Sequence, residues 1–63
     1  MDVDVVNHGS LIGLTLLSDA AREWAGEHLP ADAPRMGPTV YVEPRYAQSI
    51  VDGMEGDGLV VAR

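Results

Sequence analysis

Asn7-His8-Gly9-Ser10 places an imidazole two residues from a hydroxyl, the two groups a nucleophilic hydrolase pairs. Such a serine reacts only when the histidine lies within hydrogen-bond reach and a third group orients the ring. Near neighbours in a tight turn seldom meet that geometry, and no third group stands nearby, so His8 reads as a turn residue. His28 falls in an apolar helical spacing and reads as a packed or capping histidine. The stretch Asp52 to Gly58, "DGMEGDG", alternates acids with glycines as a calcium loop does. A calcium loop needs oxygens at alternate positions, a turn glycine and a later bidentate Glu. Met54 stands at the second ligand position, and no Glu follows at the required distance. There is no cysteine, no H-E-x-x-H or similar histidine spacing, and Gly9 and Gly13 form no phosphate loop. The expectation is a protein without a catalytic centre, metal or cofactor.

The carboxylates have a different use. Ten acids face four arginines and no lysine, a formal charge of −6. Such a surface repels nucleic-acid phosphates and anionic membranes, which excludes both as direct partners. Asp19, Glu23 and Glu27 recur at i, i+4 and i+8, one ridge of a helix with neighbours about 5–6 Å apart. Like charges at that spacing cost about 0.2–0.5 kcal/mol per pair. Arg22 relieves Asp19, but no cation in the helix is spaced to separate Glu23 from Glu27. A second cluster, Asp52, Glu55 and Asp57, crowds the end of another helical pattern. Negative charge there opposes the helix macrodipole by about 0.3–1 kcal/mol per exposed group. Both groups put charge where helix energetics disfavour it. They serve solubility or address a basic partner.

The elements that would position these acids are short. Sixty-three residues allow a single domain, 1–63, with little stability to spare. Val3 and Val5 alternate with Asp2 and Asp4 as a half-buried strand, and Asn7 to Ser10 turns the chain into a second strand with Ile12, Leu14 and Leu16 inward. Ser18 caps a helix to about Leu29, whose inward stripe is Ala21, Trp24, Ala25 and His28. Three prolines make Pro30 to Pro38 an irregular linker before a third strand, Thr39 to Glu43. Pro44 opens a second helix with Ala47, Ile50, Val51 and Met54 inward; Gly56 or Gly58 stops it, and Leu59 to Val61 form a last strand. The order ββαβαβ predicts a two-layer α+β domain, with a four-stranded, mainly antiparallel sheet and two helices on one face. Trp24 is expected in the core against Ile12, Leu14, Val40 and Ile50, where its truncation would cost about 3–5 kcal/mol.

"VNHGSL", "DAAREW", "VEPRY" and "DGMEGDGLVV", in this order and spanning nearly the whole chain, resemble very short proteins of bacterial genomes and mobile elements. That group is associated with phage-borne anti-CRISPR proteins, small acidic inhibitors of type I effector complexes that imitate DNA. The resemblance implies a monomeric inhibitor without enzymatic activity, seated in the basic groove where the complex reads or loads duplex DNA. The partner-binding residues would be Asp19, Glu23, Glu27, Asp52, Glu55 and Asp57. Two alternatives keep the acids and change the target: a phage or plasmid accessory protein on a basic host protein, and an antitoxin-like module on a basic toxin. The absence of cysteine, an acidic N-terminus unlike a signal peptide, and an apolar run of only Leu11 to Leu17 lead to an expected cytoplasmic location in the host cell.

Overall fold

The computed structural model covers residues 1–63 and shows an α+β domain with two helices and a five-stranded mixed sheet. β1 (Val3–Asn7) and β2 (Ile12–Leu16) form an antiparallel hairpin. Its loop closes through the Asn7 side chain, whose Oδ1 accepts the Gly9 N–H at 2.8 Å, while Gly9 takes φ +85°. α1 (Asp19–His28) follows, then β3 (Arg35–Met36), β4 (Thr39–Val42), α2 (Pro44–Gly56) and β5 (Val61–Ala62). The sheet order is β3-β4-β2-β1-β5, and only the β1–β5 pair is parallel.

One feature differs from the expected ββαβαβ order. The segment read as an irregular linker carries a strand: β3 pairs antiparallel with β4 through Met36 and Thr39. Gly37, at φ +58°, is the first residue of a two-residue loop, where a type II′ hairpin turn needs glycine, and Pro38 is the second. Prolines at 34 and 38 disguise the hairpin because they bracket, rather than interrupt, the two residues that pair. The last strand pairs parallel with β1, a direction the expected, mainly antiparallel sheet left open, and this makes the sheet mixed. β4 already runs parallel to β1, and α2 carries the chain back across the sheet, so β5 enters in the same direction.

Register fixes which side chains face the helices. Val3, Val5, Ile12, Leu14, Leu16, Val40 and Val42 share one face of the sheet. Most of these join Ala21 and Ala25 of α1 and Ala47, Val51 and Met54 of α2 in one buried cluster, with Val5 and Val42 packed at its margin. Leu14, Val3, Val40 and Met54 are fully enclosed. The other face, with Asp4, Val6, Gly13, Thr15, Thr39 and Tyr41, is covered only by the β1–β2 loop. There His8 lies so close over Gly13 that an added Cβ would stand 3.2 Å from its Nε2, and its ring centroid is 5.7 Å from that of Tyr41. His8 therefore packs on the sheet, which is a structural use of the ring.

Trp24 is not in this core. It is half-buried beside the cluster, at the seam between α1 and the end of α2. The reason lies in Ala21 and Ala25: two small buried residues one turn apart bring the helix axis close to the sheet. No space for an indole remains underneath, and the ring is displaced sideways over Gly53. The expected cost of Trp24→Ala falls accordingly to about 2 kcal/mol, measurable as a shifted chemical-denaturation midpoint.

Both helix ends follow local chemistry. Ser18 Oγ accepts the Ala21 N–H at 3.0 Å, a side-chain N-cap. At the end of α2, Leu59 donates to the Met54 carbonyl at 3.0 Å and Gly58 to the Glu55 carbonyl at 3.0 Å, with Gly58 at φ +94°. That bond pair is a Schellman motif, and Leu59 and Met54 supply its apolar contact. Of the two glycines considered for this stop, Gly58 is the one used. Gly58→Ala is expected to destabilise the domain by about 1–2 kcal/mol, because a Cβ disfavours the left-handed backbone; urea unfolding measures it. Gly56→Ala, inside the helix and with open space around its Cα, should be neutral or mildly stabilising.

Asp2 ties β1, β5 and the start of α1 together. Its Oδ2 accepts the Val60 N–H at 2.8 Å. The Ser18 hydroxyl first, and then this backbone N–H, hold the Asp2 carboxyl below its ordinary value of 3.8. A carboxylate whose folded pKa is depressed stabilises the fold fully above its unfolded value and loses that contribution as pH falls through the folded one. Acidification below about pH 4 is thus expected to loosen the β1–β5 pair, seen as lower amide protection at Val3 and Val60, after correction for intrinsic exchange, than at neutral pH; Asp2→Asn should remove that pH dependence.

Candidate acidic interface

α1 presents its acids on the side away from the sheet, because Ala21 and Ala25 commit the opposite side to the core. Asp19 pairs with Arg22 at 2.6 Å, and Arg22 Nη1 also donates to the Leu16 carbonyl at 3.2 Å. This second bond draws the guanidinium back toward the start of the helix. Glu23 and Glu27, one turn apart and exposed, take part in no ion pair. The other ion pairs are Arg45–Glu43 at 2.8 Å and Arg63–Glu55 at 2.5 Å, and His28 Nε2 lies 3.8 Å from Asp57 Oδ2. Three of the four arginines are therefore paired with Asp19, Glu43 and Glu55, and none with Glu23 or Glu27.

The second acidic cluster divides. Asp52 accepts from Gln48 Nε2 at 2.9 Å, an i, i+4 bond along α2. Glu55 is held by Arg63. Asp57, past the last turn, accepts the Trp24 indole N–H at 2.6 Å. Trp24 stacks on His28 with ring centroids 4.4 Å apart, so one aromatic pair on α1 faces the C-terminus of α2. Gly53 makes room for it: a Cβ there would meet Trp24 Cζ2 at 3.2 Å.

The six acids singled out in the sequence thus separate into two groups. Glu23, Glu27 and Asp57 border one shallow depression, floored by Trp24 and His28. Asp19, Asp52 and Glu55 lie outside it, each bound to a neighbour. These contacts account for the glycine-rich stretch Asp52 to Gly58. Gly53 admits Trp24, Asp57 anchors it, and Gly58 ends the helix. Asp52, Glu55 and Asp57 have three different partners, and nowhere do three His, Asp or Glu side chains gather as a metal site would require.

Two features had no local signal. The Trp24–Asp57 bond joins residues 33 apart, and nothing in either neighbourhood announces it. An apolar groove of about 520 Å³ lies between the segment after α1 and the first turns of α2, lined by Leu29, Ala33, Val42, Tyr46 and Ile50. His28 borders both the groove and the acidic depression, so the two are contiguous. No helix is long and apolar enough to cross a membrane. Compared with known proteins, the chain matches no family model, no curated protein and no solved structure.

Proposed function

We propose that the protein is a non-enzymatic binding module whose α1 face, with Glu23, Glu27 and Asp57, docks on the basic surface of a nucleic-acid-binding protein and takes the place of phosphates there. One observation carries this reading: Glu23 and Glu27 stand exposed on adjacent turns with no arginine paired to either, while Arg22, next to Glu23 in sequence, is held by Asp19. Solubility needs charge but no particular arrangement of it. An aromatic pair that fixes Asp57 next to an acidic ridge is an arrangement. The resemblance to anti-CRISPR inhibitors gives the reading its sharpest form, a monomer acting in the host cytoplasm on a type I effector complex. Asp19 and Glu55, each paired with an arginine, and Asp52, bonded to Gln48, extend the acidic surface outside the depression.

The test is duplex binding by a purified type I complex with the protein added in excess. Occupancy of labelled target duplex should fall, and the inhibition should weaken steeply with salt, because exposed charge pairs are screened over about 8–10 Å at physiological ionic strength. Unchanged occupancy at low salt rejects the CRISPR form of the proposal. A second reading, an accessory or antitoxin-like module on a basic protein that does not bind nucleic acid, is supported by the apolar groove, because an apolar contact can serve any protein partner and phosphate imitation alone does not require one. Excess duplex DNA separates the two: it displaces a mimic and leaves an accessory module bound.

A further inference from the structure

The groove beside the acidic face is open to solvent and lined by side chains that gain from being covered. Leu29, Ala33, Val42 and Ile50 are only half-buried, and Tyr46 is 53% exposed at its edge. Its volume, about 520 Å³, is in the range of pockets that enclose a bound group and has room for one large side chain. The rim is acidic. Asp32 is in no ion pair, and Glu43 is shared with Arg45, whose guanidinium is further held 4.9 Å over the Tyr46 ring. Past His28 the rim continues into Glu23, Glu27 and Asp57. Of the two arginines next to lining residues, Arg45 is committed to its own carboxylate and ring, and Arg35, which follows Pro34, is in no ion pair. The five acids Asp32, Glu43, Glu23, Glu27 and Asp57 outnumber them, so the surrounding field is negative.

We infer that this groove seats a single large apolar side chain, presented by a basic segment of the partner protein whose lysines or arginines lie over the α1 acids. The inference rests on the proposed acidic interface and adds to it the kind of segment bound. Charge complementarity selects this occupant. A second copy of the chain would bring another net charge of −6 against the same negative rim. A neutral small molecule would use the apolar lining and leave Asp32 and the α1 acids without a role. The pairing also follows the usual division of labour at interfaces, in which a buried apolar anchor supplies most of the affinity and rim charges supply rate and selectivity.

The probe is a pair of synthetic peptides two to three helical turns long, rich in Lys and Arg, one carrying a central Trp and the other Ala in its place. Binding is followed by fluorescence anisotropy of an end label and by amide chemical shifts of the protein. The Trp peptide is expected to bind about 10- to 100-fold more tightly than the Ala peptide, the effect of burying one large apolar side chain. Its shifts should centre on Ala33, Val42 and Ser49. Ser49 is exposed on the groove wall, so Ser49→Trp fills the groove without disturbing the core. That variant should erase the difference between the peptides and keep the salt-dependent binding common to both. Equal affinity of the two peptides for the unaltered protein overturns the groove assignment and leaves the acidic interface standing. A neutral peptide with the central Trp that binds as tightly as the basic one overturns the acidic reading and keeps the groove. Dimerisation of the protein that Ser49→Trp abolishes would assign the groove to a second copy, and absence of binding by every peptide overturns both readings.

Discussion

Glu23→Lys combined with Glu27→Lys is expected to weaken binding to the basic partner by about 100-fold or more while leaving the fold intact. Each reversal removes an attraction and installs a repulsion, and the two positions are the acids of α1 with no internal partner. Association should slow more than dissociation accelerates, because exposed charges act mainly on encounter. The fold has no reason to object. Both side chains are exposed, the reversal reduces a net charge of −6, and a lysine at 27 suits the last turn of a helix. Thermal unfolding should occur at the same temperature or slightly higher. A variant that unfolds early would mean that Glu23 or Glu27 holds the structure, which its surroundings give no sign of.

Leu14→Ala is expected to abolish cooperative unfolding at ordinary temperatures. Leu14 is fully enclosed at the centre of β2, opposite Val5 on one neighbouring strand and Val40 on the other. Truncating a leucine so placed costs about 3–5 kcal/mol, transfer and cavity together. A domain of this size seldom has more than about 3–5 kcal/mol in total, so the loss consumes its stability. Circular dichroism should show a broad or absent melting transition. Thr15→Ala, one residue along and on the open face, removes only the 3.0 Å hydroxyl contact to Thr39 and should melt like the parent. The contrast between two adjacent residues tests the assigned face of the sheet.

Much of the architecture was legible because its signals are local. Alternation in Val3–Val5 and Ile12–Leu16 gave the hairpin, Ser18 gave the helix start, and the spacing of Ala47, Val51 and Met54 gave the buried side of α2. What escaped depends on distant partners. β3 has two exposed residues and no hydrophobic pattern, and exists because β4 offers it an edge. The parallel direction of β5 follows from where α2 returns the chain. Trp24 shows the limit of periodicity: a helical stripe tells which side faces inward, but only the small size of Ala21 and Ala25 decides how far in a large ring can go.

The candidate site was legible in part, for the same reason. Glu23 and Glu27 follow from spacing within one helix, and they remain the free acids of that helix. The cluster at the end of α2 looked uniform in the sequence, but tertiary partners divide it. Arg63 takes Glu55, Gln48 takes Asp52, and Trp24 recruits Asp57 to the other helix. The groove has no sequence signature, since it is formed by what Leu29, Val42 and Ile50 fail to cover.

The most direct test of the acidic interface is parallel affinity capture on the parent protein and the Glu23→Lys, Glu27→Lys variant, from extract of a CRISPR-bearing host, with and without excess duplex DNA. A nucleic-acid-binding protein retained by the parent, lost with the variant and displaced by the duplex is the predicted result. The same protein retained equally by both, and indifferent to DNA, would contradict it.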